Sequence, residues 1–285
     1  MIYLVYNVPR FTHIELLSIK RSVVMYRLYS HNIMNYNPPE DRNILINSII
    51  NEFDADICTF QECSPTTNRL GKAPIQDLLS DKYTEAGIGM SDYTPVFYKT
   101  EKFNLIDECY LIYDGLNDAN SKSVTWVILE DKETKKRFSV MSTHFWWQFT
   151  GDEDNLQRIE NARQLKNLCK EIITKYNVPI IIGGDFNNGK NSLQGDAPYY
   201  FMLENGFEDV SLTSPESITG HTCRKKYTLS EGDKAYIVGG DADMTIDYIF
   251  TYGDGIKPLS FKVDSSQKAK CSSDHLPLLA LFEVI

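Results

Sequence analysis

Pro179-Ile-Ile-Ile-Gly-Gly-Asp-Phe-Asn-Asn188 is the stretch on which the reading of this chain turns. Ile180, Ile181 and Ile182 show no alternation, the pattern of a short strand covered on both faces. Gly183 and Gly184 follow. Residues without a Cβ let the backbone bend or let another group approach closely. Side chains two apart on a strand share a face. Asp185 and Asn187 are therefore expected to project together from the end of a buried strand, with Phe186 turned to the other side. A carboxylate and an amide on rigid backbone can position a water, a metal ion or a phosphate oxygen. The same residue types are also common turn formers, and this stretch alone leaves both readings open.

The pattern recurs along the chain. Residues 23–30 read as a strand rich in β-formers, running into His31 and Asn32. Residues 57–60 read as a buried strand followed at once by Gln61 and Glu62. Strand-like runs follow at 94–99, 104–113, 123–130 and 137–143. The last two are joined by the charged turn 131–136, a meander that predicts antiparallel pairing. The run at 137–143 ends in His144. Residues 244–251 read as a strand with Asp247 inside it, and 258–263 as another. Asp274 and His275 stand just before a closing strand over 276–284. Helical spacing is clearest over 154–176, where Leu156, Ile159, Ala162, Leu165, Cys169, Ile172 and Ile173 form one stripe. A second stripe, Ile44, Leu45, Ile49, Ile50 and Phe53, follows the helix start at Asn37-Pro38-Pro39. Short helices are expected over 74–79 and 197–203, and a polar loop over 211–243.

Bulk properties narrow the function classes. With 285 residues the chain can bury a sizeable core. Asp plus Glu number 39 against 29 Lys plus Arg, a net charge of -10, so the molecule as a whole repels nucleic acid and anionic membrane. The six cysteines form no C-x-x-C pair, and several sit in apolar runs. They read as buried thiols of a reducing compartment, not a disulfide frame or zinc site. No secretory signal or membrane-spanning run is read, and the expected location is cytoplasmic. No linker divides the chain.

Asn32, Glu62, His144, Asp185 with Asn187, and Asp274 with His275 thus all fall at strand ends or in adjacent loops. Polar groups gathered at strand ends are how α/β sheets build sites. Carboxylates and amides favour a hard cation, Mg²⁺ or Mn²⁺. Neither a P-loop nor a dinucleotide fingerprint is present. A carboxylate inside an apolar strand is costly without a partner, and a histidine is a natural one for Asp247.

Ser30-His-Asn32-Ile, Phe60-Gln-Glu62, Ser142-Thr-His144, Gly184-Asp185-Phe-Asn187, Ile246-Asp247-Tyr-Ile and Ser273-Asp274-His275, in this order, resemble the motifs of the endonuclease/exonuclease/phosphatase superfamily. That group includes deoxyribonuclease I, apurinic endonucleases, neutral sphingomyelinases and inositol polyphosphate 5-phosphatases. The resemblance runs from about Met25 to the C-terminus. It makes residues 1–24 an N-terminal extension and 25–285 the catalytic domain. The fold it implies is α/β (α+β): a four-layer sandwich of two mainly antiparallel sheets face to face with helices outside. It implies that Glu62 is the principal metal ligand, with Asn32 and Asp274 beside the metal or holding its waters. It implies that Asp247 pairs with His275, that Asp185 and Asn187 position the attacking water or the phosphate, and that His144 donates to a phosphoryl oxygen.

The activity expected is Mg²⁺-dependent hydrolysis of a small-molecule or lipid-headgroup phosphomonoester or phosphodiester. A nuclease on the same fold is the first alternative, disfavoured by the acidic charge. A binding module without turnover is the second, disfavoured because no key polar position is missing. Phe145-Trp146-Trp147 reads equally as core packing or as a rim that stacks on a base, sugar or headgroup. Arg224, with Lys225 and Lys226, can read a second phosphate or be a solvated basic loop. The hairpin around Lys135 reads as a solvated turn.

Overall fold

The computed structural model describes residues 24–34, 40–63, 75–86, 93–189, 196–224, 228–229, 237–238 and 242–285. The extension expected over 1–24 lies outside these apart from its last residue, as do Lys225 and Lys226. The elements begin with β1 (Met25–Asn32), α1 (Glu40–Phe53), β2 (Ile57–Gln61), α2 (Ile75–Leu79), β3 (Tyr83–Ala86) and β4 (Val96–Lys99). The middle of the chain forms β5 (Phe103–Ile112), β6 (Ser123–Asp131), β7 (Arg137–His144), α3 (Asp152–Tyr176), β8 (Ile180–Asp185) and α4 (Ala197–Glu204). Next come β9 (Phe207–Asp209), α5 (Val210–Thr213), β10 (Glu216–Ile218), β11 (Thr228–Leu229) and β12 (Ile237–Val238). The chain closes with β13 (Asp247–Tyr252), β14 (Ile256–Val263), α6 (Gln267–Ser272) and β15 (Leu278–Val284).

Two sheets carry the fold. One runs β10-β14-β15-β1-β2-β4-β3 and the other β5-β6-β7-β8-β13-β9, with β11 and β12 as a separate ribbon. Pairing is mainly antiparallel; β1 with β2, β7 with β8, and β10 with β14 are the parallel pairs. The isoleucine run of β8 serves two cores. Ile181 joins Leu28, Ile57, Val140 and Ile249 between the sheets. Ile180 and Ile182 face the other way, onto Leu165, Cys169 and Ile172 of α3. Both faces of the strand are buried, which is why its sequence does not alternate.

Gly183 lies on the inter-sheet face, where a Cβ would come within 2.3 Å of Thr59 Oγ1 and 2.5 Å of Ser30 Oγ. The two sheets close to this distance only because the side chain is missing. On the outside, α1 buries Ile46, Ile49 and Ile50 and packs beside α6. α3 covers the second sheet. Asp152, Glu153 and Asp154 complement the positive end of its dipole, and Asn177 closes it in the left-handed region at φ 52°. Helix, sheet, sheet and helix make the four expected layers.

Several local expectations are corrected. β13 opens at Asp247, so this carboxylate stands at a strand end, not inside the strand. Residues 211–243, expected as a loop, contain the end of α5 and the strand β10, which pairs with the edge of β14. α6 has no apolar stripe to announce it; six residues are too few for one, and it is held by Ser266, whose side chain accepts from Ala269 N–H.

Candidate active site

Strand register brings the polar residues to one end of the crevice between the sheets. In the second sheet His144 and Asp247 lie directly opposite Asp185, on its two neighbouring strands. In the first, Asn32 pairs with Gln61, which places Glu62 one residue past the strand. Asn32 then reaches across. Its Nδ2 donates to Asp185 Oδ2 at 2.9 Å and to Glu62 Oε1 at 3.2 Å. Its Oδ1 accepts from Met34 N–H at 3.0 Å. Asn32 therefore orients the two carboxylates through its amide nitrogen, while its oxygen is turned to the backbone.

Asp185 and Asn187 face the cavity together, but the cause differs from strand alternation. β8 ends at Asp185, and Asn187 sits at φ 49°. Its N–H donates to Asp185 Oδ1 at 2.9 Å and its Nδ2 to Phe145 O at 3.0 Å. The turn property of these residues and their placement at a buried strand end hold simultaneously. Phe186 does turn away, into an aromatic cluster with Phe145, Tyr248 and Phe250.

Asp247 and His275 form a dyad. His275 Nδ1 lies 2.8 Å from Asp247 Oδ2 and 3.0 Å from Oδ1. Thr222 Oγ–H donates to the same carboxylate at 2.6 Å. This fixes Nδ1 toward the carboxylate and leaves Nε2 on the side of Asp185, 3.9 Å from its Oδ2. Behind the dyad, His31 Nε2 meets the His275 carbonyl at 3.1 Å, and Ser273 Oγ–H donates to Asn32 O at 2.7 Å. These tie the loop before β15 to β1.

The electrostatics are those of crowded carboxylates. Burial and then Asp274 raise the Glu62 carboxyl. Burial and then Asp247 push Asp185 up to about 7. Burial pushes the His275 imidazole down, but Asp247, Cys223 and Asp274 outweigh it and hold it well above the ordinary histidine range. Burial, then Lys122, hold His144 well below that range, so this imidazole is neutral near pH 7. Ligand atoms of Glu62, His144 and Asp185, and of Asp185, Asp247 and His275, lie within 4.8 Å of one another. An oxygen-rich set whose members resist ionising together fits a hard divalent cation, which would relieve the repulsion.

The cavity at this end has a volume of about 370 Å³ and is walled by Met34, Glu62, Asp118, Lys122, Trp147, Phe149, Asp185, Asn187, Asp274 and His275. His144 is buried behind it, with Nε2 at 3.5 Å from Asp185 Oδ2. Arg224 does not reach the cavity wall. It is buried, and its guanidinium donates to the Lys270 carbonyl at 2.7 Å. The hairpin around Lys135 joins the far ends of β6 and β7, remote from the site.

The cation in the wall is Lys122, 3.3 Å from His144 Nε2 and 97 % buried by its 3 % exposure. Burial lowers its pKa, against the pull of Glu62, Asp185 and Asp118. Nothing in the local sequence Asn120-Ser-Lys-Ser123 distinguishes this lysine; only the tertiary fold carries it inward. Of the aromatic triplet, Phe145 and Trp146 are core, and Trp147 stands half exposed at the rim.

A two-sheet α/β sandwich with this crevice defines the phosphoesterase architecture. The chain matches the model of the Endonuclease/Exonuclease/phosphatase family over residues 29–275, and it belongs to that family, whose members are generally hydrolytic phosphoesterases. No curated protein matches it in sequence. Among solved structures, a mannosyl-6-phosphatase from Bacteroides thetaiotaomicron is 19% identical with TM-score 0.70, covering 90% of this chain and 99% of that one. The catalytic domain of human Nocturnin, with a bound sulfate, is 20% identical with TM-score 0.69, covering 92% and 95%. A truncated TDP2 from Caenorhabditis elegans is 18% identical with TM-score 0.65, covering 91% and 98%. At these identities the likeness is one of fold.

Proposed function

We propose that this chain is a divalent-metal-dependent hydrolase of a small or lipid-linked phosphoester, using Mg²⁺ or Mn²⁺. The observation that carries the reading is the meeting of Glu62, Asp185, Asn187, Asp274, Lys122 and the Asp247–His275 dyad in one cavity. Glu62 and Asp274 would hold the cation, with Asn32 fixing the direction of Glu62. The bound ion would supply Lewis-acid stabilisation of the phosphoryl oxygens. The chain's own groups do the rest. Asp185 takes a proton from a water that Asn187 helps to orient, as a base within reach of that water can. His275, held protonated by Asp247, donates through Nε2 to a phosphoryl oxygen, and Lys122 adds positive charge on the other side. The new bond joins the water oxygen to phosphorus. The ester P–O bond breaks, and the departing oxygen takes its proton from solvent at the cavity mouth. His144, neutral and buried, braces Asp185 and Lys122 from behind.

The cavity wall carries four carboxylates, Glu62, Asp118, Asp185 and Asp274, against Lys122 and His275. A nucleic-acid backbone needs a run of cations, and the wall offers none. No helix among the described residues is long and apolar enough to cross a membrane; the six cysteines form no disulfide, four of them buried but Cys109 exposed and Cys271 partly so, which supports a reducing, cytoplasmic setting. The test is a hydrolysis screen of purified protein with Mg²⁺, Mn²⁺ or chelator, on a generic monoester, a generic diester, sphingomyelin, inositol phosphates and plasmid DNA. Turnover of a small or lipid-linked ester with weak salt dependence is expected. Fast plasmid cleavage that collapses as salt rises, with no small-ester activity, overturns the reading in favour of a nuclease.

A further inference from the structure

Part of the cavity wall has no role in the hydrolysis proposed above. Trp147, Phe149 and Asp118 line it, and Trp147 and Phe149 keep 46% and 47% of their surface exposed. Exposed aromatics beside buried polar groups are the usual form of a specificity surface. This surface is built, not incidental. Trp147 Nε1–H donates to Asp118 Oδ2, which joins the aromatic ring to the carboxylate. The segment under Trp147 is held by the buried Arg158, whose guanidinium donates to Gln148 O at 2.6 Å and Trp146 O at 3.3 Å and sits 5.2 Å from the Phe149 ring. Asn161 Oδ1 accepts from Trp146 N–H at 3.0 Å. The Asp118 loop is fastened equally well. Asn117 donates to the carbonyls of Tyr113 and Lys122 and accepts from Lys122 N–H, and Gln157 of α3 accepts from Leu116 N–H at 2.9 Å. One asparagine thus fixes both Asp118 and the cavity lysine.

Resting on the hydrolase reading above, we propose that Trp147, Phe149 and Asp118 form a leaving-group subsite. It selects a singly phosphorylated ring bearing several free hydroxyls, a sugar or cyclitol monophosphate. The flat face of Trp147 covers the C–H face of such a ring, and its indole N–H is already committed to Asp118. The Asp118 carboxylate is an acceptor only, so it rewards a partner rich in O–H donors. It also repels a second phosphate at the rim, which disfavours nucleic acid and bisphosphorylated substrates. A bare acyl chain or an unsubstituted aryl group offers the carboxylate no donor.

The experiment uses the full chain with Mg²⁺ or Mn²⁺. Specificity constants are compared for hexose monophosphate, inositol monophosphate, glycerol phosphate, nucleoside monophosphate and hexose bisphosphate. The wild type should prefer one of the two ring monophosphates to glycerol phosphate by about tenfold or more, the scale expected for a few added contacts. Which of the two leads separates sugar from cyclitol. Trp147→Ala should collapse that ratio toward one, mainly through KM, while Trp147→Phe keeps most of it. Asp118→Lys should reverse the preference between hexose monophosphate and bisphosphate. A fluorescence titration gives a readout independent of turnover: hexose or inositol monophosphate should quench tryptophan emission in the wild type, and Trp147→Phe should remove the change. Ester hydrolysis whose substrate ranking is the same in all three variants overturns the subsite but not the hydrolase. A leading preference for nucleoside monophosphate overturns it also. If no ester is hydrolysed, the hydrolase reading fails, and the titration still decides the subsite: quenching lost in Trp147→Phe upholds it, and absence of quenching refutes it.

Discussion

Replacing Gly183 by Ala puts a methyl group into the narrowest part of the molecule. The added Cβ would stand 2.3 Å from Thr59 Oγ1, 2.5 Å from Ser30 Oγ and 2.8 Å from Ser30 Cβ. These are short side chains on β2 and β1, so they cannot swing aside as a lysine tip would. The sheets must part, or both rotamers must change. Overpacking of a tight core costs about 1–3 kcal/mol, and three contacts under 3.0 Å with stiff neighbours place this case at about 3 kcal/mol. For a domain of this size that is a fall in Tm of roughly 6 °C. The same parting would carry Asn32 and Glu62, which continue from Ser30 and Thr59, away from Asp185, so turnover should fall with stability. Gly151→Ala is the control, since no atom lies within 4 Å of a Cβ there and its φ is 174°; its cost should be no more than about 1 kcal/mol, the difference between Gly and Ala at a helix N-cap. The assay is thermal and urea unfolding followed by circular dichroism. Combining Gly183→Ala with Thr59→Ala and Ser30→Ala should recover more than half of the loss. A Gly183→Ala protein as stable as the Gly151→Ala control, or no recovery in the combined variant, would refute the close-approach argument.

Three further outcomes follow from the site and one from the sheet. Glu62→Gln should retain the fold but lose most metal-dependent turnover, and should lose any thermal stabilisation by Mn²⁺; unchanged activity at limiting metal would remove Glu62 from the cation site. His275→Ala and Asp247→Asn should each cost at least about 100-fold in kcat, with the double variant little worse, because groups acting as a unit are non-additive; fully additive losses would show that the pair does not act together. Lys122→Met should lower kcat/KM by at least about tenfold, the loss of one preorganised charge, without unfolding the protein; turnover equal to wild type would leave Lys122 a structural cation only. We propose that residues 1–24 are dispensable. β1 already has β15 and β2 as neighbours on its two sides, so a chain starting at Val24 or Met25 should keep its activity and Tm; an insoluble or unfolded truncation contradicts this.

Much of the fold is legible in the residues because its signals are local. The isoleucines of β8 declare burial on both faces, α3 carries its buried apolar stripe through Ala162, Leu165, Cys169 and Ile172 while Leu156, read as part of it, is exposed, and the charged turn at 131–136 declares a hairpin. Short elements are less legible. α6 and β9 are too brief to show a period, and their backbone is held by a cap and by pairing with β13. The polar residues at the strand ends are also visible one by one, as Asn32, Glu62, His144, Asp185, Asp274 and His275.

Their meeting is a matter of register, set by partners far away in sequence. Asp247 reads as a strand-interior carboxylate until pairing with β8 places it opposite Asp185 at the strand's first residue. Arg224 reads as a cation for a phosphate, yet its guanidinium is taken up by the Lys270 carbonyl of α6, and Lys122, in the loop before β6, takes the place inside the cavity. Trp146 and Trp147 are identical in sequence terms. Hydrogen bonding of Trp146 to Asp154 at 2.7 Å draws one into the core, and Asp118 holds the other at the rim. A sequence specifies which side chains are able to do chemistry, through residue type and short-range period. Which of them share a cavity depends on contacts closed across the sequence, from a separation of 28 residues for Asp247 with His275 to 153 for Asn32 with Asp185, and those distances exist only once the two sheets have packed.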